Sequence, residues 1–260
     1  MSHLSEISVR TKTVASIAVF SALYMILRLI PTVPMIGGVG TFSASDVIAP
    51  LYGVILGPYV GGFSVFLGTF LAIALGRSVS FMFLDFLTAT INAVALGLLM
   101  RRKLVPVVVL YAILLSVFFV NPLTLLFVPL GNTNISFPFA WLHIVAFIVL
   151  LSPLGRRASQ WVETLKPAKV TWGLAILVFI GTMMQHTMGN ILFEVTLNQI
   201  PVIVGQLPII PAVAYPGIWT TVFFLYPVER LVVVLVAVVI GVPLVRILKK
   251  SLFRSEKQPF

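Results

Sequence analysis

Seven ionisable side chains lie within or beside long apolar segments of this sequence. A charge in a bilayer is costly, so such residues are read by default as parts of a functional site with partners. We expect all seven near the same membrane surface, at the ends of different helices, which indicates a polar ligand site rather than a single linear motif. They are Arg28, Asp46, Arg77, Asp85, Glu194, Glu229 and Arg230.

A polar stripe adds to this set. His186, Asn190 and Glu194 follow one another at four-residue spacing and therefore share one helix face. Such a stripe on an apolar helix must face protein or a water-filled cavity. Asn92 adds an amide to the helix that contains Asp85.

Two aromatic residues complete the candidates. Tyr215 and Trp219 either stack on a planar ligand or belong to an interfacial aromatic belt. The predicted ligand-binding residues are Arg28, Asp46, Asp85, Asn92, His186, Asn190, Glu194, Tyr215, Trp219, Glu229 and Arg230.

Several of these residues also have purely structural interpretations. Asp46 could simply favour a helix start. Arg28 could extend to the membrane surface or act as the counter-ion of Asp46 or of a ligand anion. Asp85 and Arg77 could form a structural ion pair, which is the interpretation we favour for them.

Glu229 and Arg230 are adjacent in the sequence. On a helix their side chains diverge by about 100°, so we expect them to serve different partners.

The composition places the chain among polytopic membrane proteins. Hydrophobic residues make up 60% of it, charged residues 9%, and the mean hydropathy is +1.13. At about 20 residues per spanning helix, 260 residues hold roughly six to eight spans, and we expect one membrane domain, 1–260. The absence of Cys excludes disulfides and thiolate chemistry. The net charge of +10 comes from short clusters between apolar segments, which does not favour nucleic-acid binding.

The sequence predicts an all-α fold with about eight transmembrane or membrane-embedded helices. Of its 17 Lys and Arg residues, 13 would lie on one side of the membrane if there are eight spans, so both termini are expected to be cytoplasmic. The apolar segments are 13–31, 45–57, 59–76, 80–100, 104–129, 137–154, 170–195 and 219–248.

The second and third segments are too short to span separately. Segment 45–57 would be about 20 Å long as a helix, short of the roughly 30 Å hydrocarbon core. Pro58 disfavours helix at Gly57, so the chain should turn there. Gly53, Gly57 and Gly61 would let the two short helices pack tightly.

Two uncharged loops are predicted to cover an outward cavity. Loop 31–45 is rich in Gly, Pro and hydroxyl groups, and segment 198–219 is apolar and contains several prolines. We interpret both as lids over a small ligand.

The first span carries a stripe of small residues. Ala15, Ala18 and Ala22 lie on one helix face, where another helix could approach closely. The stripe either packs within the chain or docks another subunit.

These features together resemble the substrate-binding S components of energy-coupling factor (ECF) vitamin transporters. The resemblance rests on the AxxxA of Ala18 to Ala22, the loop 31–45, the stretch SDVIAPLYGVILGPYVGG, and the final helix ERLVVVLVAVVIGVPLVRILKK with its basic tail. S components have six spans, so the additional segments predict a helical hairpin, 104–155, inserted into a six-helix core.

The resemblance implies a subunit that captures a micronutrient at the outer surface of a prokaryotic cell membrane. A transmembrane T subunit and two ATPase subunits would then drive uptake, with Ala15, Ala18 and Ala22 facing the T subunit. The chain has no GxxxxGK[ST] motif, so we do not expect it to be the ATPase or an enzyme.

Two other functions remain open from the sequence. A self-sufficient secondary transporter could couple an ion through Asp46, Asp85 or Glu194. A lipid-modifying membrane enzyme is the third possibility, but it would need an acidic or His-Ser motif that does not stand out. His143 and His186 lack the paired spacing of metal ligands, so we expect neither a metal nor a cofactor.

Overall fold

The computed structural model describes residues 2–38, 40–131 and 135–256, and it is a bundle of α-helices. The helices in chain order are α1 Ser2–Leu29, α2 Ser45–Ala74, α3 Phe86–Met100, α4 Leu104–Val120, α5 Trp141–Leu151, α6 Pro153–Glu163, α7 Pro167–Glu194, α8 Ile200–Ile203 and α9 Tyr215–Glu256. A π-helical turn, Val195–Gln199, joins α7 to α8, and a 3₁₀ turn, Ala212–Ala214, precedes α9.

The long helices confirm the predicted all-α polytopic membrane fold. Four helical stretches of the described chain are long and apolar enough to cross a membrane, and the bent pair α5 and α6, at 69°, makes up to five. The shorter apolar helices α3 and α4 complete the set. Each predicted apolar segment contains one helix or half-helix, although α3 begins only at Phe86. Helix α6 was not predicted; it begins at Pro153, where the Ser152 hydroxyl accepts from the Leu154 N–H.

Helix α2 reverses direction at Gly57, as the Gly-Pro pair predicts. Gly57 has φ 79° and ψ 179°, which breaks the helix. A Cβ on Gly61 would lie 2.6 Å from the Tyr52 carbonyl oxygen. Nine residues of continuous helix would span about 13.5 Å, so this contact requires the two halves to fold back on each other.

Glycines allow the reversed α2 to pack closely on α3. A Cβ on Gly53 would lie 2.2 Å from the Ala93 carbonyl oxygen, and one on Gly97 would lie 2.3 Å from the Pro58 nitrogen. Helices α2 and α3 therefore form a tight unit, and Gly68 brings α1 against it through Ser21.

Two small antiparallel hairpins interrupt the helices. Strand β1 Pro31–Pro34 pairs with β2 Thr41–Ser43, and β3 Phe127–Pro129 pairs with β4 Ser136–Pro138. The first hairpin lies in the segment 31–45 that was predicted as a loop, whereas β3 and β4 overlap the ends of the predicted apolar segments 104–129 and 137–154, where no strand was predicted. The first hairpin joins α1 to α2.

The predicted inserted segment, 104–155, packs against α7 through α4 and α5. The Tyr111 hydroxyl of α4 donates to the His143 carbonyl of α5 over 3.0 Å, which fixes the two helices to each other. Whether this segment is an insertion stays a prediction.

Several basic residues meet at the Gly57 end of the bundle. Arg101 lies over the Tyr59 ring, and Arg102 pairs with Glu163 over 3.0 Å. Arg246 of α9 donates to the Leu165 carbonyl. The opposite end of α2, at Asp46, is the end where the candidate site lies.

Candidate ligand-binding cavity

A cavity of about 780 Å³ lies at the Asp46 end of the bundle. Its walls come from the end of α1, the β1–β2 hairpin, the start of α2, the loop before α3, and the facing sides of α7 and α9. Most of the lining is aliphatic or aromatic, with a few convergent polar groups. That size and composition are typical of small-molecule sites.

The β1–β2 hairpin, which lies in the predicted lid 31–45, forms one side of the cavity, and its role as a lid stays a prediction. Arg77 holds it by donating from its guanidinium to the backbone carbonyls of Thr41 and Phe42. The Arg230 guanidinium lies over the Phe42 ring, 5.2 Å from its centre. Desolvation lowers the pKa of Arg77 from its ordinary value, but arginine stays charged in proteins.

Asp46 is the polar centre of the α2 wall. Its Oδ2 accepts from the Ser43 N–H over 3.1 Å, and its Oδ1 accepts from Gln185 Nε2 of α7 over 2.7 Å. Asn92 of α3 donates to Gln185 Oε1 over 2.8 Å. Asn92 is buried behind the cavity wall and does not line it, so it supports the site through Gln185.

Asp85 pairs with Arg28, and both line the cavity. Arg28 Nη2 lies 3.8 Å from Asp85 Oδ1, and the same carboxylate accepts from the Ser80 and Phe81 N–H groups over 2.9 and 3.1 Å. The expected Asp85–Arg77 pair is wrong, because Arg77 is engaged with the hairpin carbonyls.

Glu229 and Arg230 line the cavity from α9. Arg230 Nη2 lies 2.5 Å from Glu229 Oε1, so the two side chains pair with each other. The prediction that they serve different partners is therefore wrong. The flexible arginine stem bridges the angle between neighbouring positions. Arg230 is only 2% exposed, and its Nε has no hydrogen-bond partner within the described chain.

The polar stripe of α7 divides between two surroundings. His186 and Asn190 line the cavity. Glu194, two helical turns beyond His186, is fully buried away from it and accepts from the Thr124 hydroxyl over 2.7 Å. The prediction that the three residues share one face of α7 is correct. Glu194, however, lies far enough along the helix to contact the 121–126 segment and not the cavity.

The two aromatic candidates are both buried, so neither belongs to an exposed belt. Trp219 lines the cavity and donates its indole N–H to the Leu123 carbonyl over 2.8 Å. Tyr215 does not line it; its hydroxyl donates to the Phe193 carbonyl. Of the predicted lid 198–219, only Ile218 and Trp219 line the cavity, and Leu207 within it is 91% exposed.

Sequence reasoning left several cavity residues out of the predicted site. Gln185 and Tyr226 both line the cavity, as does Phe42 of β2. Gln185 had a usable signal, since an amide beside His186 in an apolar helix needs partners. Tyr226 and Phe42 had none, because aromatic residues are common in membrane helices and loops.

Two further predictions concern metal ions and docking. His143 and His186 meet, with Nε2 of the first 3.0 Å from Nδ1 of the second. Among the described residues there is no group of three or more His, Cys, Asp or Glu that could hold a metal. Ala15, Ala18 and Ala22 are all exposed on α1, so the stripe does not pack against the part of the chain that the structure describes.

The fold and the cavity define a polytopic membrane protein with a cavity of small-molecule size at one end of its helical bundle. The family described as ECF-type riboflavin transporter, S component, matches residues 8–107. These 100 of the 260 residues contain α1 from residue 8 onward, the β1–β2 hairpin, α2, α3 and the first residues of α4. The match confirms the resemblance to ECF S components and supports a substrate-binding transporter subunit. A search of curated proteins and of solved structures finds no match.

Proposed function

We propose that this chain is the substrate-binding subunit of an ECF-type transporter and captures a vitamin-sized micronutrient at the outer face of a prokaryotic cell membrane. The observation that carries the proposal is that the segment matching the family also forms part of the cavity. The matched segment 8–107 supplies the cavity cover and three of its charged residues, Arg28, Asp46 and Asp85.

Riboflavin is the ligand to test first, because the matching family is described by it. The cavity combines rings from Phe42, Trp219 and Tyr226 with hydrogen-bonding groups from Asp46 and Asn190. A flat heteroaromatic compound with polar edges and a hydroxylated chain is complementary to such a lining.

The exposed alanine stripe supports a partner subunit. Ala15, Ala18 and Ala22 leave a shallow face on α1 where a helix of a T subunit could approach closely. Two ATPase subunits would supply the energy. The basic end of the bundle, with Arg101 and Arg102, would face the cytoplasm, and the cavity would then lie at the outer surface.

The deciding experiment is ligand capture by the purified chain. The protein, extracted in mild detergent, is titrated into riboflavin while flavin fluorescence is followed, and the co-purified small molecules are identified by mass spectrometry. We expect saturable quenching or a co-purified vitamin-sized compound. A folded protein that binds no riboflavin and carries no such compound would contradict the proposal.

A further inference from the structure

Three cavity residues are held in place by the segment 123–143, which comprises the connection after α4 and the first turn of α5. His186 meets His143, Trp219 donates to the Leu123 carbonyl, and the Tyr226 hydroxyl donates to the Phe139 carbonyl over 2.9 Å. Each contact comes from outside the matched segment 8–107. The histidine contact is the one in which a side chain of this segment can control the chemistry of a cavity residue.

The two histidines lie edge to edge, with nearly parallel ring planes, inside an aromatic cluster. Their ring centres are 5.1 Å apart, and the Tyr226 ring packs on both. His143 is fully buried, and within the described chain neither imidazole has a carboxylate partner. The nearby charged group is the cation Arg230. Because an unpaired charge is costly to bury, both rings are neutral.

The hydrogen bond can be formed in two ways. If His186 Nδ1 donated, His143 would carry its own proton on Nδ1, which is buried and has no partner within the described chain. Buried N–H groups without acceptors are rare in proteins, and an unpaired lone pair is tolerated more often. The proton between the rings therefore belongs to His143 Nε2, and His186 Nδ1 accepts it.

We propose that His143 is a positioning residue that fixes the tautomer of His186, so that His186 presents an Nε2–H donor to the cavity. Neutral imidazole carries one proton, and when Nδ1 accepts, Nε2 must donate. The ligand then has to offer an acceptor at this point, such as a ring carbonyl oxygen or an aromatic ring nitrogen. This last consequence rests on the proposed function.

The tautomer is testable without any ligand. The chain contains three histidines, so selective ¹⁵N-histidine labelling gives a simple spectrum, and a His3→Gln variant removes the third signal. For both His143 and His186 we expect a protonated Nε2 and an unprotonated Nδ1, with a coupling across the hydrogen bond. Protonation of His186 at Nδ1, or at both nitrogens, would overturn the proposal.

Paired variants test the effect on binding. In His143→Gln the side-chain amide can still donate to His186 Nδ1, whereas His143→Phe preserves a ring without a donor. With riboflavin as the probe, we expect His143→Phe to weaken binding about tenfold, equivalent to about 1.4 kcal/mol, and His143→Gln to stay near wild type. Tyr111→Phe removes a neighbouring buried hydrogen bond and is the structural control, with affinity unchanged.

The outcomes separate the two proposals. If wild-type protein binds no riboflavin, the proposed function fails, and the ¹⁵N spectrum still decides the tautomer. Equal binding by His143→Phe and wild type would overturn the role of His143 in the cavity. If His143→Phe does not fold, weak binding by a folded His143→Gln would contradict the proposal, and wild-type binding by it would support it.

Discussion

Gln185 of α7 donates to Asp46 of α2 over 2.7 Å, although the two residues are 139 positions apart. Gln185 also accepts from Asn92, so one amide connects α2, α3 and α7. The carboxylate uses its second oxygen to hold the Ser43 N–H beside the β1–β2 hairpin. A short series of hydrogen bonds thus fixes the β1–β2 hairpin, the α2 wall of the cavity and the buried helices α3 and α7 relative to one another.

Changing Asp46 to Asn should weaken this chain of contacts. The new amide N–H₂ would face either the Ser43 N–H or the Gln185 Nε2–H₂, so one donor would lose its acceptor, at a cost of about 1–3 kcal/mol. We expect a lower melting temperature and riboflavin binding weakened at least about tenfold. The matched control is Glu163→Gln in the exposed pair with Arg102, which should cost at most about 1 kcal/mol. Unchanged binding in a stable Asp46→Asn protein would remove Asp46 from the site.

Adding one methyl group at Gly53 should destabilise the fold. Its Cβ would lie 2.2 Å from the Ala93 carbonyl oxygen, so the α2 and α3 backbones would have to separate, at a cost of about 1–3 kcal/mol or more. Gly217 in α9 has nothing within 4 Å of its Cβ position, and Gly217→Ala should be neutral or stabilising by up to about 1 kcal/mol. Thermal unfolding of both variants in detergent measures the difference. Equal melting temperatures would refute the close packing.

Asp85 should matter more for stability than its partner Arg28. Its carboxylate accepts two backbone N–H groups, whereas Arg28 lies 3.8 Å away in a cavity wall. We expect Asp85→Asn to cost about 1–3 kcal/mol and Arg28→Gln less. A double-mutant cycle, followed by unfolding in denaturing detergent, should give a coupling smaller than the cost of Asp85→Asn alone, because the two backbone N–H bonds of Asp85 do not involve Arg28. A coupling of several kcal/mol would show that the ion pair, and not the loop, is what Asp85 stabilises.

A bulky residue in the alanine stripe should affect assembly alone. Ala18→Trp would fill the shallow face of α1, while riboflavin binding and the melting temperature of the isolated chain should stay unchanged. Val19→Trp adds similar bulk at a neighbouring exposed position and is the control. The measurement is co-purification with the T subunit and both ATPase subunits, expected to be lost only in Ala18→Trp. Retained assembly would exclude this face as the docking surface.

Local sequence rules predicted the features that depend on one short segment. The Gly57–Pro58 pair was sufficient to predict the reversal of α2, because proline disfavours helix at the preceding residue whatever surrounds it. The four-residue spacing of His186 and Asn190 was sufficient to place them on a common face, which the cavity then meets.

Pairing across the bundle could not be predicted in the same way. The sequence suggested Arg77 as the partner of Asp85 and Asp46 as a possible partner of Arg28. The structure pairs Arg28 with Asp85 instead, because the β1–β2 hairpin places its carbonyls against Arg77. His143 and His186 are 43 positions apart in the sequence and lie on different helices. Helical periodicity relates only residues of the same helix, so it could not predict their contact. Glu194 contacts Thr124 because the 121–126 segment packs beside that end of α7. The periodicity of a helix does not predict which segment packs against it.

The break at Gly57 also has a mechanical consequence. From Asp46 to Gly57 the first half of α2 is a rigid arm about 16.5 Å long, with its pivot beside Arg101. A tilt of about 10° at the pivot would displace Asp46 by about 3 Å, given the helical rise per residue. The 2.7 Å hydrogen bond to Gln185 could not follow such a displacement, so the close packing of Gly53 on α3 is what keeps Asp46 aligned with Gln185.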